Sequence, residues 1–76
     1  MAPGDLAKIP GWRMPILWRT PRATDPDGNR EDIMKQFEHD ALALVIGADD
    51  TPTGMMLMVL VEGTYGWMSD TDLESP

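Results

Sequence analysis

Three segments of the chain carry short apolar runs of a length typical of β-strands. Residues 41–47 read ALALVIG and residues 55–61 read MMLMVLV, and both runs are flanked by turn-forming residues. Residues 64–68 (TYGWM) come directly after Glu62-Gly63, a pair typical of a tight turn. We therefore expect the second run to form an antiparallel hairpin with residues 64–68.

Side chains of a strand alternate between its two faces, so each run has two apolar faces. In the second run Met58 and Leu60 lie on one face, and Leu57 and Val59 lie on the other. Only one face of each strand can point into the core of so small a domain. The remaining faces must be covered by other parts of the chain or by another chain, because an exposed apolar patch of this size promotes aggregation.

The first forty residues are harder to assign. We expect a first strand over residues 5–9 with Leu6 in the core, ended by the Pro10-Gly11 turn. Residues 11–29 are rich in proline, which excludes a regular helix and a central strand, so a long irregular loop is predicted. Between residues 29 and 40, Ile33, Met34 and Phe37 fall on one helical face and predict one to three helical turns.

Two features near the end of the chain predict local geometry. Gly66 interrupts the last strand, which indicates a bulge or a close approach of another backbone. Residues 69–72 (SDTD) predict a short 3₁₀ turn that inserts Leu73 into the core. Trp67 is expected to pair across the final hairpin.

Length and composition predict one small domain spanning residues 1–76, with residues 11–40 as a long loop insertion. The chain has no Cys, so disulfides do not stabilise it, and this composition is consistent with a reducing cytoplasm. The start of the chain lacks the pattern of a signal peptide, and a run of 7 apolar residues is far below the roughly 20 that span a bilayer. We expect no membrane partner.

Charge is unevenly distributed along the chain. The net charge is −7, yet residues 1–30 hold five basic and three acidic residues, whereas residues 31–76 hold one Lys and ten acids. Such asymmetry favours association between copies. The alternative interpretation is that the acidic residues only keep a Met-rich chain soluble. The acidic total disfavours nucleic acid as a partner.

Catalysis and cofactor binding have little support. His39 is the only His, and no nucleophile elbow or phosphate-binding glycine loop is present. The segment from Asp25 resembles a calcium loop, but its Gly falls at the fourth position and Gln36 occupies the twelfth, so turn chemistry explains it better. We expect no enzyme activity, no cofactor, no metal site and no small-molecule substrate.

The segment from Trp12 to Arg19 is the candidate partner-binding site. Trp, Arg and Met are enriched in protein interfaces. The same tryptophans are also suited to capping the protein's own core or, with their neighbouring arginines, to stacking on nucleic-acid bases. The residues assigned to the site are Trp12, Arg13, Met14, Ile16, Leu17, Trp18 and Arg19.

The order of the motifs resembles the Src-homology-3-like small β-barrels of tailed bacteriophages. The resemblance rests on an opening GDL (residues 4–6), then ALALVIG, then MMLMVLVEGTYGWM and a closing SDTDLE (residues 69–74), about half of the chain. It implies an all-β, five-stranded barrel without catalytic residues, whose long Pro- and Trp-rich first loop departs from the family pattern.

The resemblance also implies a function. It points to a structural or assembly module of the virion, assembled in the host cytoplasm, that acts in the head, neck or tail as a decoration, cement or adaptor protein. The partners would be other virion proteins or copies of the chain itself. A small acidic effector that binds and inhibits a host protein is the alternative, and a regulatory nucleic-acid-binding barrel is a third hypothesis.

Overall fold

The computed structural model describes residues 2–21, 32–52 and 54–76. Most of these residues lie in strands, and short 3₁₀ turns occur at Gly11–Arg13 and Asp70–Asp72. The strands are β1 (Leu6–Ile9), β2 (Ile16–Trp18), β3 (Ile33–Gln36), β4 (Ala41–Thr51), β5 (Gly54–Val61) and β6 (Thr64–Ser69). The prediction of a mainly β fold is confirmed.

All six strands form one antiparallel sheet in the order β1-β4-β5-β6-β2-β3. The strands β4, β5 and β6 follow each other as hairpins, whereas β1 and β2 pair with strands that come much later in the chain. Within the described ranges no pairing joins β3 to β1, so the sheet is open. The structure therefore has six strands in an open sheet where a barrel of five was expected.

The sixth strand arises because the predicted long loop contains regular structure. Residues 16–18 form β2, between β6 and β3, and residues 33–36 form β3 in place of the predicted helical turns. Pro15 does not prevent this, because it precedes the strand and its carbonyl accepts a hydrogen bond from the Phe37 N–H at 2.9 Å. The turn predicted at Asp25 falls within residues 22–31, which lie outside the described residues.

The hairpin from β5 to β6 has the tight turn that the sequence predicts. Glu62 and Gly63 both have positive φ angles, 51° and 79°, as a two-residue type I′ connection requires. Pairing runs without interruption from Val61↔Thr64 to Met56↔Ser69. The hairpin between β4 and β5 is longer than predicted, because β4 continues through Thr51 into residues expected to form a surface connection.

Gly66 marks a close approach and not a bulge. The β5–β6 register is continuous at this residue, which pairs with Val59. A Cβ atom placed on Gly66 would lie 2.5 Å from Cγ of Leu17, on the neighbouring strand β2. The missing side chain therefore lets β2 dock against β6.

One hydrophobic core lies on the inner face of the sheet. Leu6 is not part of it, contrary to prediction: the side chain is 54% exposed, while Ala7 and Ile9 are buried. Ile9 is the largest apolar side chain of β1 to be buried, and the alternation of the strand then directs Ala7 inward and Leu6 outward. The core consists of Ala7, Ile9, Leu17, Phe37, Ala43, Val45, Leu57, Val59, Val61, Met68 and Leu73.

The end of the chain closes one side of this core. Leu73 follows the Asp70–Asp72 turn and is only 7% exposed, as predicted. Glu74 then forms an antiparallel bridge with Lys8, with N–H to carbonyl distances of 2.8 and 2.9 Å. The last residues are thereby fixed beside β1.

Candidate protein-contact surfaces

The first three predicted site residues form an exposed tip, which we define as Trp12, Arg13 and Met14. Trp12 is 74% exposed, and the guanidinium carbon of Arg13 lies 5.1 Å from the centroid of its ring. Met14 follows with a left-handed backbone (φ 51°) and is also exposed. The tip thus presents an indole, a cation and a thioether to solvent, a combination enriched in protein interfaces.

The tip is held by polar contacts on both sides. Gly11, just before Trp12, is buried and donates its N–H to Oδ1 of Asp40 at 2.9 Å. Arg13 donates from Nη1 to the carbonyl of Thr71, and the carbonyl of Met14 accepts from Nε2 of Gln36 at 3.1 Å. These contacts fix the backbone, so the exposed side chains project from a defined base.

Arg13 also lies close to a partly buried carboxyl group. Burial raises the pKa of Asp72 above its ordinary value, and the positive charge of Arg13 opposes that shift. The contact links the tip to the Asp70–Asp72 turn and hence to the C-terminal end of the core.

The other predicted site residues lie in β2 or next to it. Ile16 and Trp18 are half-buried, and Arg19 is exposed, with its N–H bonded to the carbonyl of Asp32 at 2.7 Å. Leu17 is 1% exposed and belongs to the core, so it offers no surface to a partner. The structure places Trp18 beside Trp67 of β6, on a different element from Trp12.

The outer face of the sheet carries two rows of apolar side chains that run across the strands. The register pairs Leu6 with Leu44, Leu44 with Leu60, and Leu60 with Tyr65, which we call the leucine row.

The second row lies two residues away from the first on β5 and β6, and it continues onto β2 and β3, whereas the leucine row continues onto β4 and β1. It pairs Met58 with Trp67, Trp67 with Trp18, and Trp18 with Ile33, which we call the tryptophan row. Because directly paired residues have Cβ atoms about 4.5–5.5 Å apart, each row is continuous.

Exposure differs along the rows: Leu60, Met58, Trp67 and Trp18 are half-buried, and the other four side chains are exposed. Leu6 and Tyr65 are more than half exposed, and Leu44 is 39% exposed. Leu42 and Ile46 extend the face along β4, with exposures of 62% and 38%. We define the apolar outer face as the two rows together with Leu42 and Ile46; none of its ten side chains carries a charge.

Charged groups form small clusters, and one of them borders this face, because Lys8 is the cross-strand partner of Leu42. The carboxylate of Glu62 accepts a hydrogen bond from Lys35 and lies 3.1 Å from Nε2 of His39. Both contacts lower the pKa of Glu62, and the contact with Lys35 has the larger effect. The pKa of Asp40 is lowered chiefly by the hydrogen bond from the Gly11 N–H and to a smaller extent by the positive charge of Lys8 at 3.4 Å. All of these side chains are exposed, so such pairs contribute little to stability.

The cavities seen among the described residues are small, and an open one of about 240 Å³ is lined by Lys8, Asp40, Ala41 and Leu42. A cavity of about 170 Å³ is lined by Leu17, Phe37 and Val61, with Lys35 and Glu62 at its border. Ligand pockets commonly measure about 300–1,000 Å³, so this cavity is below the usual size. Among residues 2–21, 32–52 and 54–76, no group of three His or acidic side chains is arranged to hold a metal ion.

Comparisons of the chain with protein-family models, with curated proteins and with solved structures each gave no match. In the part of the chain that the structure describes, no helix has the length and apolar character needed to cross a bilayer.

The sequence indicated part of the outer face but not its extent. The alternation in β4 and β5 revealed a second apolar face on each strand. Its continuation through Leu6, Tyr65 and Trp18 depends on which strands are neighbours, and short motifs do not specify long-range pairing. The usable signal was the presence of aromatic residues at alternate positions, Tyr65 and Trp67, next to a strand that is apolar on both faces.

Proposed function

We propose that this protein is a non-enzymatic structural and assembly module of a tailed-phage virion that acts through protein–protein contacts. The observation that supports it best is the amount of apolar and aromatic surface left exposed on a 76-residue chain, at the tip and on the apolar outer face. Contiguous patches of this kind on small proteins are typical of interaction sites. The proposed partners are other virion proteins or copies of the chain itself.

We further propose that the fold is a variant of the Src-homology-3-like small barrel of tailed phages. Three features support this assignment: the meander β4-β5-β6, the Asp70–Asp72 turn that follows it, and the short terminal bridge from Glu74 to β1. The hairpin formed by β2 and β3 then occupies the place of the long first loop.

Nucleic acid is a weaker partner proposal. Lys8 is paired with Asp40, Lys35 with Glu62, and Arg13 with the Thr71 carbonyl. Cations engaged in this way are less available for phosphate groups, and the net charge of −7 repels a polyanion.

The test uses purified particles from the host that produces the protein. Mass spectrometry should detect the chain in particles purified by density gradient, in a fixed ratio to the major shell protein. Replacing Trp12 with Ser should reduce incorporation while leaving the melting temperature nearly unchanged, because its ring is 74% exposed. Trp12→Phe keeps an aromatic ring and should retain most of the incorporation.

The alternative is a small acidic effector that binds and inhibits a host protein. The excess of ten acids over one Lys after residue 30 favours it, because such a chain suits a basic surface on the target. Absence of the chain from particles, together with a stable complex with one host protein, would replace the virion proposal with this one.

A further inference from the structure

We infer that the apolar outer face is the contact surface for a second copy of this chain, giving a two-fold symmetric dimer. The inference deepens the proposed function and rests on it, since it names one of the two kinds of partner. It assigns self-association to the sheet and leaves the tip free for a different partner.

The chemistry of the face matches a copy of itself. Its ten side chains are uncharged although the chain has thirteen acids and six bases. Lys8 borders the face beside Leu42, but it is paired with Asp40 of the same chain at 3.4 Å, so it is less available to a partner selected by charge. A two-fold interface requires the same patch to fit itself, and a neutral apolar surface meets that condition without placing carboxylates against each other at its centre.

The side chains of the two rows also differ in bulk, which affects how two copies pack together. The two rows overlap on β5 and β6, and a two-fold axis that runs across these two strands, between the rows, places the leucine-row residues of one copy on the tryptophan-row residues of the other. Leu60 then faces Met58 of the second copy, and Tyr65 faces Trp67. Rows of different bulk interdigitate better than identical rows, as they do between the inner faces of stacked sheets.

The exposed area is sufficient for a weak, specific dimer. The exposures of Leu6, Leu42, Leu44, Ile46 and Tyr65 together equal two and a half fully exposed side chains. At about 150–200 Å² for each, that is about 400–500 Å² per copy, towards the upper end of the largest patch on a typical monomer. Two copies would bury about 800–1,000 Å² by covering these five residues fully, which is just below the lower limit for a biological interface, so the tryptophan row has to supply the remaining area.

The response to salt should distinguish a copy from a basic partner. Two copies of a chain with net charge −7 repel each other outside the contact. Salt screens this repulsion and leaves apolar contacts intact, so self-association should strengthen as the salt concentration rises. A complex held by a basic partner should weaken instead.

The experiment is sedimentation equilibrium of the full chain over a range of concentrations, at about 0.05 and 0.5 M NaCl. The wild type should show a monomer–dimer equilibrium that shifts toward dimer at the higher salt. Leu44→Glu places a charge in the leucine row and should weaken dimerisation by at least about 30-fold. Trp12→Glu introduces the same charge at the tip and should leave dimerisation within about threefold of wild type.

The variant Leu42→Glu is a second test for the case in which Leu44→Glu does not fold. Leu42 is 62% exposed, so it tolerates a charge better than Leu44. Far-ultraviolet circular dichroism checks that each variant keeps its β spectrum. A wild type that stays monomeric up to about 1 mM overturns the inference, and so does a dimer that requires Trp12 or weakens with salt. A monomeric chain still found in particles would refute the dimer alone, whereas a dimer absent from particles would refute the virion role alone.

Discussion

The contact between Gly66 and Leu17 gives a sharp test of how β2 is docked on the sheet. A Cβ atom on Gly66 would lie 2.5, 2.7 and 2.9 Å from three carbon atoms of the Leu17 side chain. Carbon atoms normally approach to about 3.5–4.0 Å, so Leu17 would have to move by about 1 Å. It is 1% exposed and packed in the core, and the small cavity that it lines with Phe37 and Val61 takes up only part of that shift.

The expected cost of Gly66→Ala follows from these numbers. Overpacking of a core costs about 1–3 kcal/mol, and the lower backbone entropy of Ala returns about 0.5–1 kcal/mol. We expect a net loss of up to about 2.5 kcal/mol in the free energy of unfolding, measured by urea denaturation. For a domain with a total stability of about 5 kcal/mol, this loss would be large.

A double-mutant cycle isolates the contact. Leu17→Ala alone should cost about 2–5 kcal/mol, but it removes the atoms that Gly66→Ala would strike. In the Leu17→Ala background, Gly66→Ala should therefore be neutral or stabilising. Gly47→Ala is the matched control, since its Cβ would meet only Cβ of Met58 at 3.9 Å and should change stability by no more than about 1 kcal/mol. Equal costs of Gly66→Ala in both backgrounds would refute the close approach.

Three further predictions concern the core, the charges and the partner class. Leu73→Ala should lower the free energy of unfolding by about 2–5 kcal/mol in urea, and a loss below about 0.5 kcal/mol would show that Leu73 is not part of the core. The pKa of Asp40 is lowered from 3.8, so its carboxylate stabilises the fold above about pH 4–5 and this contribution disappears as the pH falls through the lowered pKa. Asp40→Asn should therefore flatten the dependence of the urea midpoint on pH between about 5 and 2, and an unchanged slope would contradict the contact with Gly11. In a gel-shift assay at physiological salt the chain should not bind DNA with sub-micromolar affinity, and such binding would favour the nucleic-acid hypothesis.

The sequence predicted the C-terminal half of the fold well because its contacts are local. Residues 41–69 form a meander, and the apolar runs, the Glu62-Gly63 turn and the closing 3₁₀ turn each have a short-range signature. The insertion of Leu73 into the core followed from the same local pattern. Even here the sequence did not show that β4 continues to Thr51.

The N-terminal half was predicted less well because its strands depend on distant partners. β2 has only three residues, and its place in the sheet is set by pairing with β3 and with Trp67. Ile33, Met34 and Phe37 match a helical spacing, but pairing with β2 overrides that local preference. The burial of Leu17 inside a predicted contact site has the same origin, since the alternation of a strand was not expected there.

The sheet order has a consequence for how the chain folds. The strands β4, β5 and β6 can pair with their immediate neighbours in sequence, whereas Trp18 of β2 must wait for Trp67, which is synthesised 49 residues later. Loop closure over such distances is slow, so we expect β1 and the β2–β3 pair to join the sheet after the β4-β5-β6 meander has formed. During that interval the apolar residues of β1 and β2 are exposed as potential aggregation sites. Pro10, Pro15 and Pro21 lie near the ends of these two strands, and proline at such positions generally disfavours pairing between chains.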